Sequence, residues 1–527
     1  MLNTAAAYGG MAVAPHHLAA EAGGAILREG GTAVEAMVAM AAAIAVVYPH
    51  MNAIGGDGFW ILAEPGREPV GIDACGAAVA AAVPELYAGH DAIPPRGPLA
   101  ALTVAGTVSG WKAALDASAS WGGRLPLSRL LADAIRHAGD GIAVTVGQAA
   151  LTAEKLPGLK DVPGFAETFL IEGRLPAAGQ RLRQPALAAT LVHLARAGLD
   201  DFYRGDVARA LAADLGAVGS PLRLSDLESH RPLIVRPLSA RLSVGTVYNM
   251  PPPTQGVASL MILALFERLG VEAAEGFAHV HGLVEATKQA FLVRNAKVWD
   301  PAYMAEPAER FLEGPFLDRL AARIDARRAL PWPQPAAPGD TVWMGAVDRH
   351  GRAVSFIQSI YWEFGSGVVS PRTGVLWQNR GISFALEEGH PNRLAPGRRP
   401  FHTLNPALAR FDDGRVMTYG TMGGEGQPQT QAAVFSRYAL FGQPLQAAVT
   451  APRWLLGRTW GSDSANLKLE GRFAPALIEA LREAGHDVEV VADFTDLMGH
   501  AGAIVRHPDG RLEGAADPRS DGRVAAL

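Results

Sequence analysis

A large multilayer α/β body, or a set of about three domains, is the fold class that this chain predicts. Three observations carry the prediction. The chain has 527 residues, too many for one ordinary hydrophobic core. Hydrophobic residues make up 49% against 19% charged, which calls for a large buried interior. Helical patterns dominate before residue 340, and strand patterns follow it.

The elements can be justified in order. Thr32-Ala33-Val34-Glu35 has capping-box spacing, in which the threonine hydroxyl accepts from the N3 amide and Glu35 reaches back to the cap amide. The run Ala33 to Val47 is apolar on every face, so that helix should be covered all round. With Glu35 inside it, the run falls short of the roughly 20 apolar residues of a membrane span. Asn52 to Leu62 reads as a glycine turn feeding a strand, and Ala186 to Ala197 and Phe277 to Val293 read as helices. Met250-Pro251-Pro252-Pro253 can continue neither a helix nor a central strand. Leu330 to Asp340, with Pro331, Pro333, Pro335 and Pro338, predicts an extended, exposed segment. Thr341 to Val347 then reads as a strand, Asp348-Arg349-His350-Gly351 as a turn and Ala353 to Tyr361 as a second strand. No internal repeat or heptad run is present.

Composition excludes several functions. Lysine and arginine number 47 against 52 acidic residues, a net charge of −5, so no cation excess exists to neutralise a nucleic acid or an anionic membrane. Cys75 is the only cysteine, which rules out an intrachain disulfide and a cysteine-based zinc site. The first residues show no basic stretch followed by an apolar one, so no secretory signal is read and the cytoplasm is expected. His279 and His281, spaced i, i+2, point to different faces of a helix, which favours a structural role over a metal site. Gly420 to Gly426 matches neither the dinucleotide fingerprint nor the P-loop, and no G-x-S-x-G elbow occurs.

Thr341 carries the sharper signal. If the Asp340–Thr341 bond were cut, this residue would present a hydroxyl and a free α-amine together. With an intrinsic pKa near 7.7–8.0, that amine can serve as general base for its own hydroxyl. On spacing alone the ordinary reading, a threonine that begins a strand, is favoured.

The segment Gly339-Asp340-Thr341-Val342-Trp343-Met344-Gly345-Ala346-Val347-Asp348, followed by Ala353-Val354 and Phe364-Gly365-Ser366-Gly367, resembles the γ-glutamyltranspeptidase family around its processing site. Further blocks occur in the family's order. They are Asn52 to Phe59, Met250 to Pro253, Pro396-Gly397-Arg398-Arg399-Pro400, Gly423-Gly424 and Ala516-Asp517-Pro518-Arg519-Ser520. The resemblance implies a proenzyme with a four-layer αββα sandwich, cut before Thr341 into a large subunit (1–340) and a small one (341–527). It also implies Thr341 as nucleophile, Ser359 in place of a supporting threonine, and Gly423 and Gly424 as the backbone oxyanion hole. No cofactor or metal is implied, and a higher homo-oligomer is left open.

Departures from the family pattern bear on substrate. Ile72-Asp73 is followed by Ala74-Cys75-Gly76, without the arginine that grips a glutamyl α-carboxylate. The family's serine pair becomes His402-Thr403, and its asparagine and aspartate become Tyr361 and either Ile382 or Ser383. Arg380 stands where the family has a neutral amide; it binds a substrate carboxylate or pairs with a neighbouring acid, and the sequence leaves both open. Arg380, Tyr361, His402 and Thr403 are thus the expected substrate residues. The pattern resembles the branch of the family that hydrolyses oxamate to oxalate and ammonia. A glutathione hydrolase or γ-glutamyltransferase, a cephalosporin-type acylase, and an uncleaved binding homologue are the alternatives.

Overall fold

Side-chain alternation in the hairpin after residue 340 lays out the middle of the molecule. In the computed structural model, which describes residues 3–332, 340–457 and 465–527, the strands Asp340–Asp348 and Ala353–Tyr361 pair antiparallel. Most of the proline-rich stretch, residues 333–339, lies outside the described residues. Val342, Met344 and Ala346 join a core shared with helices, while Trp343 and Val347 join a second core between two sheets. One strand therefore serves two layers, as its period of two requires.

The first sheet runs in the order Arg523–Ala526, Gly10–Ala14, Asp340–Asp348, Ala353–Tyr361, Asp57–Ala63, Val70–Ala74, Leu233–Val235. The second runs Ala5–Ala7, Leu512–Ala516, Gly502–Arg506, Val416–Gly420, Ala407–Phe411, Gly245–Asn249, Leu238–Leu242. Helices His17–Arg28, Ala33–Val47, Thr107–Ala117, Ala132–Asp140 and Pro185–Ala197 share the first sheet's outer core. Gly256–Arg268, Phe277–Lys297, Gly426–Phe435 and Leu445–Thr450 share the second sheet's. The order is helix, sheet, sheet, helix. Both sheets take strands from either side of residue 340, so the change there is one of composition and not of layers.

The expected helix cap and hairpin are met in detail. Thr32 Oγ1 accepts from the Glu35 amide at 3.2 Å and Glu35 Oε2 accepts from the Thr32 amide at 2.7 Å, while every residue of Ala33–Val47 is buried. Asp348 joins the hairpin turn to this helix, accepting from the amides of His350, Arg352 and Ala33. Between the sheets, the Trp343 indole lies against the cross-strand pair Gly420 and Gly502. A Cβ on Gly420 would stand 2.2 Å from the ring, and one on Gly502 2.5 Å from it. Trp343 Nε1 donates to Ser355 Oγ at 3.0 Å. No helix among the described residues is long and apolar enough to cross a membrane.

Candidate active site

Thr341, Ser359 and Asp57 meet at one end of the space between the sheets. Alternation with Trp343 sets Thr341 on the inter-sheet side; alternation with Ile357 and Phe59 does the same for Ser359 and Asp57, which are cross-strand partners. The register shifts between Asp340 and Val342, so Ser359 and Ile360 oppose the single residue Thr341. Such bulges re-aim side chains beside functional sites. Thr341 is buried, and its Oγ1 accepts from Gln427 Nε2 at 3.2 Å. Gln427 Oε1 accepts from the Asn405 amide at 3.2 Å, which aims its NH2 at the threonine. Ser359 Oγ accepts from the Tyr361 amide at 2.8 Å.

Gly423 and Gly424 lie between the strand Val416–Gly420 and the helix Gly426–Phe435, the helix whose Gln427 reaches Thr341. Their φ angles of 111° and 51° suit glycine and little else. The Gly423 carbonyl accepts from the Gly426 amide at 2.7 Å. A buried network braces the loop from behind. Gln255 Nε2 donates to the carbonyls of Gly424 at 2.8 Å and Thr403 at 2.7 Å. Arg294 donates to Gln255 Oε1 at 2.8 Å and to Glu425 Oε1 at 2.7 Å.

The expected substrate residues sit beside these groups. Tyr361, at φ 80°, is the cross-strand partner of Asp340, and its ring lies 3.4 Å from the Arg380 guanidinium carbon. Arg380 is 1% exposed, and neither its Nε nor its Nη2 has a hydrogen-bond partner. Burial lowers its pKa, against the opposing influence of Tyr361, Asp57 and Cys75. An arginine keeps its charge under such a shift. His402 Nε2 lies 3.0 Å from Asp57 Oδ2, while its Nδ1 and the Thr403 hydroxyl are buried without a partner. Burial and then the Arg380 charge push the His402 pKa well below the usual range, so the ring is neutral. Burial raises the Asp57 pKa to about 7, opposed by the amides of Gly106 and Gly76 and by Gln378. Those two amides donate to Asp57 Oδ1 at 2.9 and 3.1 Å. They reach it because glycine lets the backbones close: a Cβ on Gly76 would stand 1.7 Å from the Val104 carbonyl oxygen. Cys75 is buried, and its amide donates to Asp73, which binds Arg399. Of the two alternatives at the next position, Ile382 is half-buried and the Ser383 hydroxyl is buried without a partner.

Asp57, Gln255, Arg294, Glu425 and Gln427 are the members that sequence reading did not single out. Asp57 had one visible signal, an acid leading the apolar strand Phe59 to Leu62; the others had none. His279 binds Ser436 Oγ, and His281 binds His486 and the Asp325 carbonyl. His281, Glu285 and His486 are close enough to share a metal ion, as are His193, Asp201 and Asp206. In the first group the Lys288 ammonium donates to Glu285 at 2.7 Å and already supplies the cation. Neither group includes a residue of the Thr341 end.

The gamma-glutamyltranspeptidase family profile matches residues 19–527. The chain is 60% identical to the oxamate amidohydrolase proenzyme of Klebsiella pneumoniae, over 98% of each chain. It is 40% identical to a glutathione hydrolase-like proenzyme of Bacillus subtilis, again over 98% of each. Among solved structures, a cephalosporin acylase from Bacillus halodurans superposes with a TM-score of 0.92 at 34% identity, covering 100% of this chain and 97% of that one. The helix–sheet–sheet–helix order is that of the N-terminal-nucleophile hydrolases, and the chain belongs to the gamma-glutamyltranspeptidase family.

Proposed function

We propose that the protein is a self-processing amidohydrolase that cuts itself between Asp340 and Thr341 and then hydrolyses a short amide bearing a carboxylate, with oxamate the preferred candidate. In the uncut chain the Thr341 nitrogen is a peptide amide and cannot act as a base; cleavage turns it into an amine. That amine takes the Oγ1 proton as the oxygen attacks the substrate carbonyl. The amides of Gly423 and Gly424 stabilise the oxyanion, at the N-terminal end of a helix where negative charge is favoured. The C–N bond breaks, the proton passes to the departing nitrogen, and ammonia leaves. Water, deprotonated by the same amine, then attacks the acyl ester, releasing the acid and restoring Thr341. Ser359 supports the nucleophile from the neighbouring strand. No step calls for a metal or cofactor.

One observation carries the choice of substrate: the buried Arg380 guanidinium, stacked on Tyr361, with two donor nitrogens unpartnered. A buried cation without a counter-charge is costly, and a bound carboxylate relieves that cost. Tyr361 lies opposite Asp340, so the anchor stands close to the nucleophile, as a short substrate requires. A γ-glutamyl group carries its charged head several bonds from the amide, and Cys75 fills the place of the arginine for that head. The name and 60% identity of the Klebsiella proenzyme support the same reading. Intact mass and ammonia assays test it. Wild-type protein should give two fragments, the smaller starting Thr341-Val342-Trp343, and should release ammonia from oxamate. Thr341→Ala should stay whole and inactive. Good turnover of γ-glutamyl anilides with none of oxamate would sink the substrate assignment, and an active uncut chain would sink the nucleophile.

A further inference from the structure

A primary amide next to a carboxylate makes three separate demands on its site. The carboxylate needs donors, which Arg380 supplies, and the carbonyl oxygen needs the amides of Gly423 and Gly424. The –NH2 is purely a donor, and it needs a buried acceptor. His402 Nδ1 has the right chemistry. The ring is 1% exposed and Nδ1 has no partner. Its other nitrogen, Nε2, faces the Asp57 carboxylate at 3.0 Å. The Gly76 and Gly106 amides occupy the far oxygen of that carboxylate and fix its orientation. Above about pH 7, where Asp57 is ionised, its carboxylate accepts, so Nε2 carries the proton and Nδ1 presents its lone pair. The buried guanidinium of Arg380 disfavours an imidazolium beside it and keeps that lone pair free.

Position agrees with chemistry. Asp57 is the cross-strand partner of Ser359, on the side of the sheet from which Thr341 also projects. On the other flank, Gln255 ties the Thr403 carbonyl, one residue from His402, to the Gly424 carbonyl. The imidazole is thus held against Asp57 and Phe59 of the nucleophile's sheet, on a segment that Gln255 ties to the glycine loop.

We propose that His402 selects primary amides, its Nδ1 accepting a hydrogen bond from the substrate –NH2, and that Asp57 is the positioning residue that sets the tautomer. This rests on the amidohydrolase reading above. It assigns no proton transfer to His402, because the Thr341 amine performs that step.

The test compares two substrates with one acyl group: oxamate, and the monomethyl ester of oxalic acid, whose leaving group has no N–H. His402→Phe should lower kcat/KM for the amide about tenfold relative to the ester, the effect of one lost hydrogen bond to a buried partner. Asp57→Asn is nearly isosteric, and its NH2 would donate to Nε2 and force the ring proton onto Nδ1. It should therefore show the same amide-selective loss. His402→Asn, which places an oxygen near the former Nδ1, should recover part of it. Self-cleavage into two fragments reports that each variant folds. Equal losses on amide and ester, or no loss on the amide in either His402→Phe or Asp57→Asn, overturn the assignment of His402 alone. A wild type that ignores oxamate overturns this assignment together with the substrate reading.

Discussion

Two arginines of the candidate site are almost wholly buried, and their surroundings differ completely. Arg294, 2% exposed, spends its guanidinium on protein: Gln255, Glu425 and the Asn295 side chain accept from it, and the Phe291 ring lies 3.7 Å from its carbon. Arg380, 1% exposed, has one face on Tyr361 and two nitrogens without a partner. Equal burial thus goes with opposite satisfaction. Arg294 is neutralised by the fold and braces the loop from the long N-terminal part of the chain. Arg380 feels the Asp57 charge but has no ion pair of that kind among the described residues.

The largest effect should come from breaking the buttress. Arg294→Met leaves the Glu425 carboxylate buried without this cation, which costs about 3–5 kcal/mol. Denaturant unfolding should show a lower midpoint, and a midpoint equal to wild type would place Arg294 among dispensable contacts. A smaller effect is expected from the buried histidines. Burial holds His50 at about 3, whereas its unfolded value is 6.5. The unfolded chain binds the extra proton between those values, so stability falls as pH drops below about 6.5. This one ring accounts for about 2 kcal/mol between pH 6.5 and 5. His16 and His486, also at about 3, act with the same sign, and Asp57, raised to about 7, opposes them. His50→Phe should flatten the acid limb of stability against pH, and an unchanged limb would contradict the assignment. The smallest change is expected for the stability of Arg380→Met. Removing an unpartnered buried charge should leave the unfolding midpoint unchanged or raise it, and a clear drop would make Arg380 a structural residue like Arg294.

Much of the fold around this site was legible in the sequence, and the limits have physical causes. The hairpin from Thr341 to Tyr361 shows itself because strand alternation and the Asp348 to Gly351 turn are local signals. The cap of the Ala33–Val47 helix does so because its two partners stand three residues apart. The slot that seats Trp343 was invisible, since Gly420 and Gly502 come from two other strands and no local pattern joins them. The role of Arg380 stayed open for the same reason. Whether an arginine pairs with the protein or with a ligand depends on where distant acids lie. Here Asp57 is occupied by His402 and two glycine amides, and Glu425 by Arg294. The network of Gln255, Arg294 and Glu425 joins residues that share no motif and meet only when the layers close.

The central claim, that a self-cleaved Thr341 acts on an amide whose carboxylate is held by Arg380, is tested most directly by one comparison of rates. Wild type and Arg380→Met, each fully cleaved into two fragments, are assayed for ammonia release from oxamate. Losing a charge-assisted bidentate contact costs about 2–5 kcal/mol, so kcat/KM should fall by at least tenfold, at roughly 1.4 kcal/mol per decade, while cleavage stays complete. Equal kcat/KM for the two proteins would contradict the account.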